Sequence, residues 1–333
     1  MRAFAACVLS AAMVFAAAAG TAVASDKGER VLKITDERIP ESSGLAASPS
    51  DPSLLYTIND SDNTPAVYAL DESSGDVVGV TTIEGYTLSD TEALGVGSDG
   101  TMWVADIGDN RADRTDIALY AFPEPGRGDS TVTPKRYPLR YRDGPKDAET
   151  LLVGPESRRL LIVSKGLTGG DVYAVPKRLH VERPNTLRRV RRAGAPPIVT
   201  DGSFTPDGRR IVLRTYGSVV VYDASSWDEL WSDALPSQPQ GETLTVSPDS
   251  ESFLIGTEGV PSTILRVELP QTEPVEEPTA RAEADDGAAD VSDDETNLGL
   301  WLTVLAGLAI VLVVLIVWIV LAARRSGRRQ RAG

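Results

Sequence analysis

Between Val31 and Leu269 the apolar positions come in short runs rich in Val, Ile, Leu and Tyr, and they alternate with polar ones at a period of two. Glycine, proline, aspartate and serine punctuate the runs. No stretch in this region holds a 3.6-residue period over the length of an ordinary helix, so the pattern predicts an all-β domain.

The pattern also repeats. "ESSGLAASPSDPSLLYTIND" from Glu41, "DTEALGVGSDGTMWVADIG" from Asp90, "DAETLLVGPESRRLLIVSKG" from Asp147, "TDGSFTPDGRRIVLRTYG" from Thr200 and "QGETLTVSPDSESFLIGTEG" from Gln240 share one layout. A polar start leads into an apolar strand, then a Ser-Pro-Asp-Gly-like turn, then a second strand ending at a small polar residue. The turn chemistry is specific: proline presets φ, aspartate caps through its side chain and glycine supplies φ > 0. Two further strands follow in each repeat, such as "AVYALD" and "DVVGVTTI" or "SVVVYD" and "DELWSD". Judged by Leu45, Leu94, Leu151, Phe204 and Leu244, the repeat is 40 to 57 residues long, the period of a four-stranded propeller blade. The fifth repeat has only three strands, ending in "TILRVEL", whereas "VLKITDE" at Val31 precedes the first and has no partner of its own. Pairing the two completes a fifth blade, and five blades are favoured over six.

The Ser-Pro-Asp-Gly-like hairpins resemble those of TolB-type and NHL-type bacterial β-propellers. The runs "NDSDN" and "DIGDN" after second strands resemble secreted propellers of the phytase-esterase-like kind. The resemblance spans most of Val31 to Leu269 and implies a propeller fold. For activity it implies one option, calcium-dependent hydrolysis of a phosphoester or ester bond.

The flanks add four segments to the propeller of residues 25–269. Residues 1–24 carry Arg2, an apolar run and small residues at Ala22 and Ala24, as a cleaved signal peptide does. Residues 298–323 hold no charge, place Trp301 and Trp318 towards the two ends and run into "RRSGRRQR". At 1.5 Å per residue this stretch would extend about 39 Å, enough to cross a ~30 Å hydrocarbon core as a helix. The basic tail, 324–333, then lies in the cytoplasm. Between propeller and helix, residues 270–297 hold ten carboxylates against the single base Arg281, a composition that predicts a disordered, self-repelling stalk. The expected protein is thus a single-pass cell-membrane protein with its N-terminal domain outside.

Charge and rare residues narrow the chemistry. The net charge is −15, and Arg2 with five arginines beyond Ala323 lies outside the exported part, which is therefore near −21. Such an exterior repels nucleic acid and is compatible with binding a cation or simply with solubility. Cys7 is the only cysteine and falls in the signal, so the mature chain has neither disulfide nor thiolate site. His180, the only histidine, lies in the basic insertion "KRLHVERPNTLRRVRR", which is expected on the outer side of the third blade. That insertion also holds Arg183, Arg188, Arg189, Arg191 and Arg192, a positive patch suited to acidic cell-surface polymer or the stalk.

In a propeller the start of each first strand and the end of each second strand meet at one rim. Aligned by repeat, the starts give Ser43, Glu92, Glu149, Gly202 and Glu242, preceded two residues earlier by Glu41, Asp90, Asp147, Thr200 and Gln240. The ends give Asn59, Asp106, Ser164, Thr215 and Thr257, followed by Asp60, Ile107, Lys165, Tyr216 and Glu258. Crowded carboxylates repel unless a cation, a proton or a base relieves them, and calcium accepts six to eight oxygens in loose geometry. Glu92, Glu149, Glu242, Asp60 and Asp106 are the expected calcium ligands, with Asp90, Asp147, Asp109, Lys165 and Glu258 expected to meet a further ligand. The competing reading is a wet rim, neutralised by Lys165 and Arg214. The favoured function is a binding module for an extracellular ligand or protein, the alternative a calcium-dependent hydrolase with no catalytic residue assigned; a purely structural role in the envelope is a third reading.

Overall fold

The strands follow the apolar runs, and the turns fall where the breaker residues stand. The computed structural model describes residues 28–60, 63–155 and 159–271, which form an all-β domain with no helix among them. The expected signal peptide, nearly all of the stalk, the transmembrane helix and the tail lie outside the described residues. Among the described residues no helix is long and apolar enough to cross a membrane.

Strand β1 (Gly28–Ile34) precedes the first repeat, which supplies β2 (Ser42–Ala47), β3 (Leu54–Asn59), β4 (Ala66–Asp71) and β5 (Val77–Ile83). The second supplies β6 (Thr91–Val96), β7 (Thr101–Asp106), β8 (Ala118–Pro123), the short β9 (Ser130–Val132) and β10 (Lys135–Tyr141). The third supplies β11 (Ala148–Val153), β12 (Leu160–Ser164), β13 (Gly170–Ala174) and β14 (Asn185–Ala195). Then come β15 (Val199–Phe204), β16 (Arg210–Thr215), β17 (Ser218–Asp223) and β18 (Glu229–Ala234), and finally β19 (Gly241–Val246), β20 (Ser252–Thr257) and β21 (Ser262–Glu268). Each repeat opens with the expected hairpin. Ser48, Gly97, Gly154, Thr205 and Ser247 donate their backbone N–H to the carbonyls of Leu54, Thr101, Arg159, Arg210 and Ser252, at 2.8 to 3.0 Å.

Hydrogen bonding joins the strands into four sheets, in the orders β1-β21-β20-β19, β2-β3-β4-β5-β9, β15-β16-β17-β18 and β11-β12-β13-β14-β10-β8-β7-β6. The eight-stranded sheet is two antiparallel sets, one per repeat, fused at their outer edges where β10 and β14 run parallel with Leu139 opposite Asn185. Neither this fusion nor the parallel addition of β9 to β5 was legible in the repeat pattern. Both arise because outer strands have free edges, and a free edge is a template for pairing. The second half of the basic insertion is not a loop but β14, with Asn185 and Leu187 turned inward and Arg188, Arg191 and Arg192 outward.

The first strands of the repeats lie side by side in the order β2, β6, β11, β15, β19, and β19 returns to β2. Apolar clusters fill the spaces between neighbouring sets rather than any single sheet. One, for example, packs Tyr56 and Val67 of the first set against Leu94, Val104 and Tyr120 of the second. This is propeller-like packing: sheets arranged face to face around inner strands.

Closure falls to β1. It runs antiparallel to β21, with Leu32 opposite Ile264 and Ile34 opposite Ser262, so the first described strand completes the last sheet. Leu32 and Ile34 are buried beside Ile264 and Leu45, at ~1.5–3 kcal/mol for each side chain. Against a typical total stability of about 5–15 kcal/mol, losing both with the ladder is a large fraction. Deleting Val31 to Asp36 should therefore abolish cooperative unfolding or cause aggregation through the bared edge of β21. A deletion variant that melts like the parent would show that β1 does not close the last sheet.

Candidate functional site

Every first strand is interrupted near its start by a register shift. Pairing passes from Thr91↔Asp106 to Ala93↔Ala105, so Glu92 is an extra residue. The same shift leaves out Glu149 in β11, Thr200 in β15 and Glu242 in β19. In β2 it falls across Ser43 and Gly44, where Gly44 has a φ of +86° that a side-chain-bearing residue rarely adopts. A bulge of this kind bends the strand and re-aims the extra side chain. Repeated around the inner ring, it directs Ser43, Glu92, Glu149, Thr200 and Glu242 at one mouth.

Two positions differ from the sequence alignment. The fourth repeat places Thr200, not Gly202, in this column, and Gly202 lies level with Leu45, Leu94, Leu151 and Leu244. A signal for this was present: each bulged residue stands five positions before the turn-opening residue Ser48, Gly97, Gly154, Thr205 or Ser247. Aligning the fourth repeat on Phe204 shifted it by two. In the neighbouring column, the N–H groups of Asp60, Gly108, Lys165 and Glu258 donate to the carbonyls of Glu41, Asp90, Asp147 and Gln240. Gly108 therefore occupies the place expected of Ile107, which is fully buried instead.

Gly108 opens space that matters. A Cβ there would fall 2.6 Å from Asp90 Oδ2 and onto Glu92 Oε1, so only glycine admits both carboxylates. One oxygen each from Asp60, Asp90 and Glu92 lies within 4.8 Å of the others. Ser43 Oγ reaches the same group, donating towards Glu92 Oε2 at 3.3 Å and the Glu92 carbonyl at 3.0 Å. Burial, reinforced by the charges of Glu149 and Asp60, pushes Glu92 well above the usual carboxylate range. Asp90 is raised by burial too, although a hydrogen bond with Asp60 and the nearby Arg114 charge work against it.

The remaining acids divide into those that line the mouth and those that build it. Glu149 receives Lys165 Nζ at 2.8 Å, yet burial still lifts it to about 7. Burial opposes the charge on Lys165, but Glu149 outweighs it and holds the ammonium above its ordinary range. The same Nζ donates to Tyr216 Oη at 3.2 Å and lies 5.5 Å from the centre of its ring. Glu242 is raised by burial and by Glu258, and Glu258 by burial and by Glu41, so this side of the mouth is crowded as well. Asp106, by contrast, accepts the N–H groups of Ser89 and Asp90 and a 2.7 Å bond from Arg114 Nη2. Asp109 accepts the N–H groups of Asp113 and Arg114 and donates its own to Asp147 Oδ1 at 2.8 Å. Those two hold the loop after β7 in place.

Of the expected ligands, the structure thus joins Asp60 and Glu92 with Asp90, which had been expected in another role. Glu149 is engaged by Lys165, and Asp106 by Arg114. Sequence reasoning did not single out Gly108 or Arg114, because neither carries a spacing signal. Arg214 makes no salt bridge at the rim among the described residues: it is fully buried, donating to the carbonyls of Thr243 at 2.9 Å, Gly256 at 3.0 Å and Thr215 at 3.2 Å, although its charge still favours the ionised form of Glu242. His180 lies in the β13–β14 connection, at the opposite end of the strands, bonded through its ring to Arg183.

The chain matches no family model and no curated protein. Among solved structures it is similar to a luciferin-regenerating enzyme, at 11% identity and a TM-score of 0.44, over 70% of this chain and 79% of that one. It is also similar to the hydrazine synthase of Kuenenia stuttgartiensis, at 14% identity and a TM-score of 0.38, over 67% of this chain and 57% of the other. At such identities neither likeness bears on the chemistry of the mouth.

The raised carboxylates give stability a definite pH dependence. A group whose affinity for protons is higher folded than unfolded contributes stability that is complete below its unfolded pKa and lost as pH rises through the folded one. For Glu149 that window extends from the ordinary carboxylate range up to about 7, and Asp90, Glu92, Glu242 and Glu258 are displaced in the same direction. In metal-free buffer the melting temperature should therefore rise as pH is lowered from 7.5 to 5. Replacing Glu92 and Glu149 together by glutamine should flatten that rise; a wild-type curve already flat over this range would contradict the reading.

Proposed function

We propose that the chain is a five-bladed β-propeller held outside the cell membrane on its acidic stalk and single helix, and that it acts as a binding module whose mouth takes a calcium-like cation. The ring of five first strands supports the blade number, and β1 supports its closure. The sequence pattern of the flanks supports the placement. The observation that carries the binding reading is the convergence of Asp60, Asp90 and Glu92 over the open floor at Gly108. Two oxygens that share an ion at ~2.4 Å can be at most about 4.8 Å apart, and the three carboxylates fall within that limit. The remaining coordination positions face the mouth, where water or an oxygen of a partner can fill them.

Binding is favoured over turnover by the state of the cations. A calcium-dependent hydrolase would draw its Lewis acid from the ion itself and would gain from a second positive group free to meet developing charge. Lys165 is committed to Glu149, and Arg214 to backbone carbonyls.

Calcium binding to the folded state alone stabilises it by about 2.7 kcal/mol at a hundredfold excess over Kd. In thermal melts of the full-length protein, chelation should lower the melting temperature and calcium restore it. Asp60→Asn with Asp90→Asn and Glu92→Gln should abolish the response, whereas Glu149→Gln with Glu242→Gln should retain it. Equal small shifts with calcium and magnesium, or an unaltered response in the first variant, would sink the site.

A further inference from the structure

The opposite end of the strands carries a feature that the acidic mouth does not use. Beside the segment Pro176 to Arg178, in the β13–β14 connection, lie two open clefts that share Leu160, Pro176 and Lys177 as a common wall. One, of about 770 Å³, separates the third and fourth sets of strands and presents Arg159, Lys177, Arg188 and Trp227. The other, of about 570 Å³, separates the second and third sets and presents Lys135, Arg178 and Tyr137. We propose that this pair of clefts binds an anionic polysaccharide.

The charge is the first argument. Among the described residues no carboxylate lines the larger cleft. The smaller one contains only Asp99, whose Oδ1 is occupied by the Thr101 N–H at 3.1 Å. Asp223, next to the larger cleft, is turned onto the N–H groups of Ser225 and Ser226. Lys135, Lys177, Arg178 and Arg188 are exposed and form no ion pair with any described carboxylate, while Arg159 spends one bond on the Ala224 carbonyl. Elsewhere on this acidic chain Arg114, Arg127, Lys165 and Arg189 each sit on a carboxylate. Five cations left open along one wall suit a polyanion, and a charge-bearing chain crossing both clefts meets all five.

The second argument is shape. Trp227 has a φ of +65°, a conformation that bulky residues rarely adopt, and it is held there by its bond to the Asp223 carbonyl and by Tyr222, 5.8 Å away between ring centres. Its half-buried indole forms a wall of the larger cleft. Across the ridge Tyr137, backed by Trp103 at 5.9 Å, does the same for the smaller one. Aromatic faces on both sides of a basic ridge, with Val175 and Val190 between, fit the apolar faces of sugar rings as well as their charges. A flexible acidic peptide would use the cations and gain little from the rings.

The test uses full-length protein in detergent and three polymers, polygalacturonate, polyglutamate and neutral dextran, followed by tryptophan fluorescence and affinity electrophoresis. Polygalacturonate should bind in a salt-sensitive manner and more tightly than either other polymer. Arg159→Gln with Lys177→Gln and Arg188→Gln should weaken it about tenfold or more. Trp227→Ala should weaken it, and Trp227→Phe should restore much of the loss. Should the tryptophan variant melt differently from the parent, Lys135→Gln with Arg178→Gln provides the second arm, since those exposed side chains form no ion pair or side-chain hydrogen bond among the described residues. Polyglutamate bound as tightly as polygalacturonate would assign the face to polyanions of any kind. That result, equal dextran binding, or cation variants that bind like wild type would overturn the proposal.

Discussion

Closing five first strands into one ring is the constraint from which the other features follow. Strands that share an axis must bring their starts together, and here β2, β6, β11, β15 and β19 each carry a polar residue, Ser43, Glu92, Glu149, Thr200 or Glu242, at the register shift near the start. Carboxylates separated by about fifty residues in the chain, such as Asp90 and Asp147, thereby become electrostatic neighbours. The bulge in each first strand increases the crowding, because it turns Glu92, Glu149 and Glu242 inward where a regular strand would alternate. Between the fifth and first sets, β1 adds its ladder and its buried Leu32 and Ile34 to the direct packing of β19 and β20 on β2.

The inner ring contains two kinds of buried charge, and their surroundings differ. Asp201 is almost wholly buried but accepts the N–H of Leu244 at 2.6 Å and of Gly202 at 2.8 Å, with the Leu45 N–H also directed at it. It ties three first strands together at one point. Arg214 does the equivalent for the fourth and fifth sets, and Gly241 must be glycine because a Cβ would fall onto its guanidinium. Buried groups of this sort cost several kcal/mol unless hydrogen bonds satisfy them; both are hydrogen-bonded, yet burial still pushes Asp201 well above the usual carboxylate range and lowers Arg214 to about 10. Glu92 is similarly buried and, among the described residues, has the Ser43 hydroxyl against four neighbouring acids, Glu149, Asp60, Asp90 and Asp147. The two sets therefore differ in surroundings: Asp201 and Arg214 are tied into the backbone of neighbouring strands, whereas Glu92 is crowded by acids.

The mouth and the basic clefts lie at opposite ends of strands about six residues long, hence roughly 20 Å apart along the strand direction. That is more than twice the ~8 Å screening length of physiological salt, so neither field cancels the other. The two features are kept apart because each strand end is built from a different class of connection. Second-to-third strand loops, with Asp60, Lys165 and Glu258, crown the mouth. First hairpins and third-to-fourth connections, with Arg159 and Lys177, form the other end.

The amino-acid sequence alone determined the strands, the hairpin turns and the partner of β1, since these depend on period-two alternation and on local turn chemistry at residues such as Pro206, Asp207 and Gly208. It also indicated which acids gather at the rim. Only the tertiary structure decided which of them meet. Glu149 was equivalent to Glu92 as a letter in the repeat, and Asp106 was grouped with both as an expected ligand, but Lys165 and Arg114 pair with Glu149 and Asp106 and not with Glu92. The bulges, the displacement of Ile107 by Gly108 and the edge pairing of β10 with β14 were likewise decided in space. A register shift of one residue leaves hydrophobic alternation nearly unchanged while redirecting a side chain, so the chain pattern shows the strand and the ring of neighbours decides where its charge points.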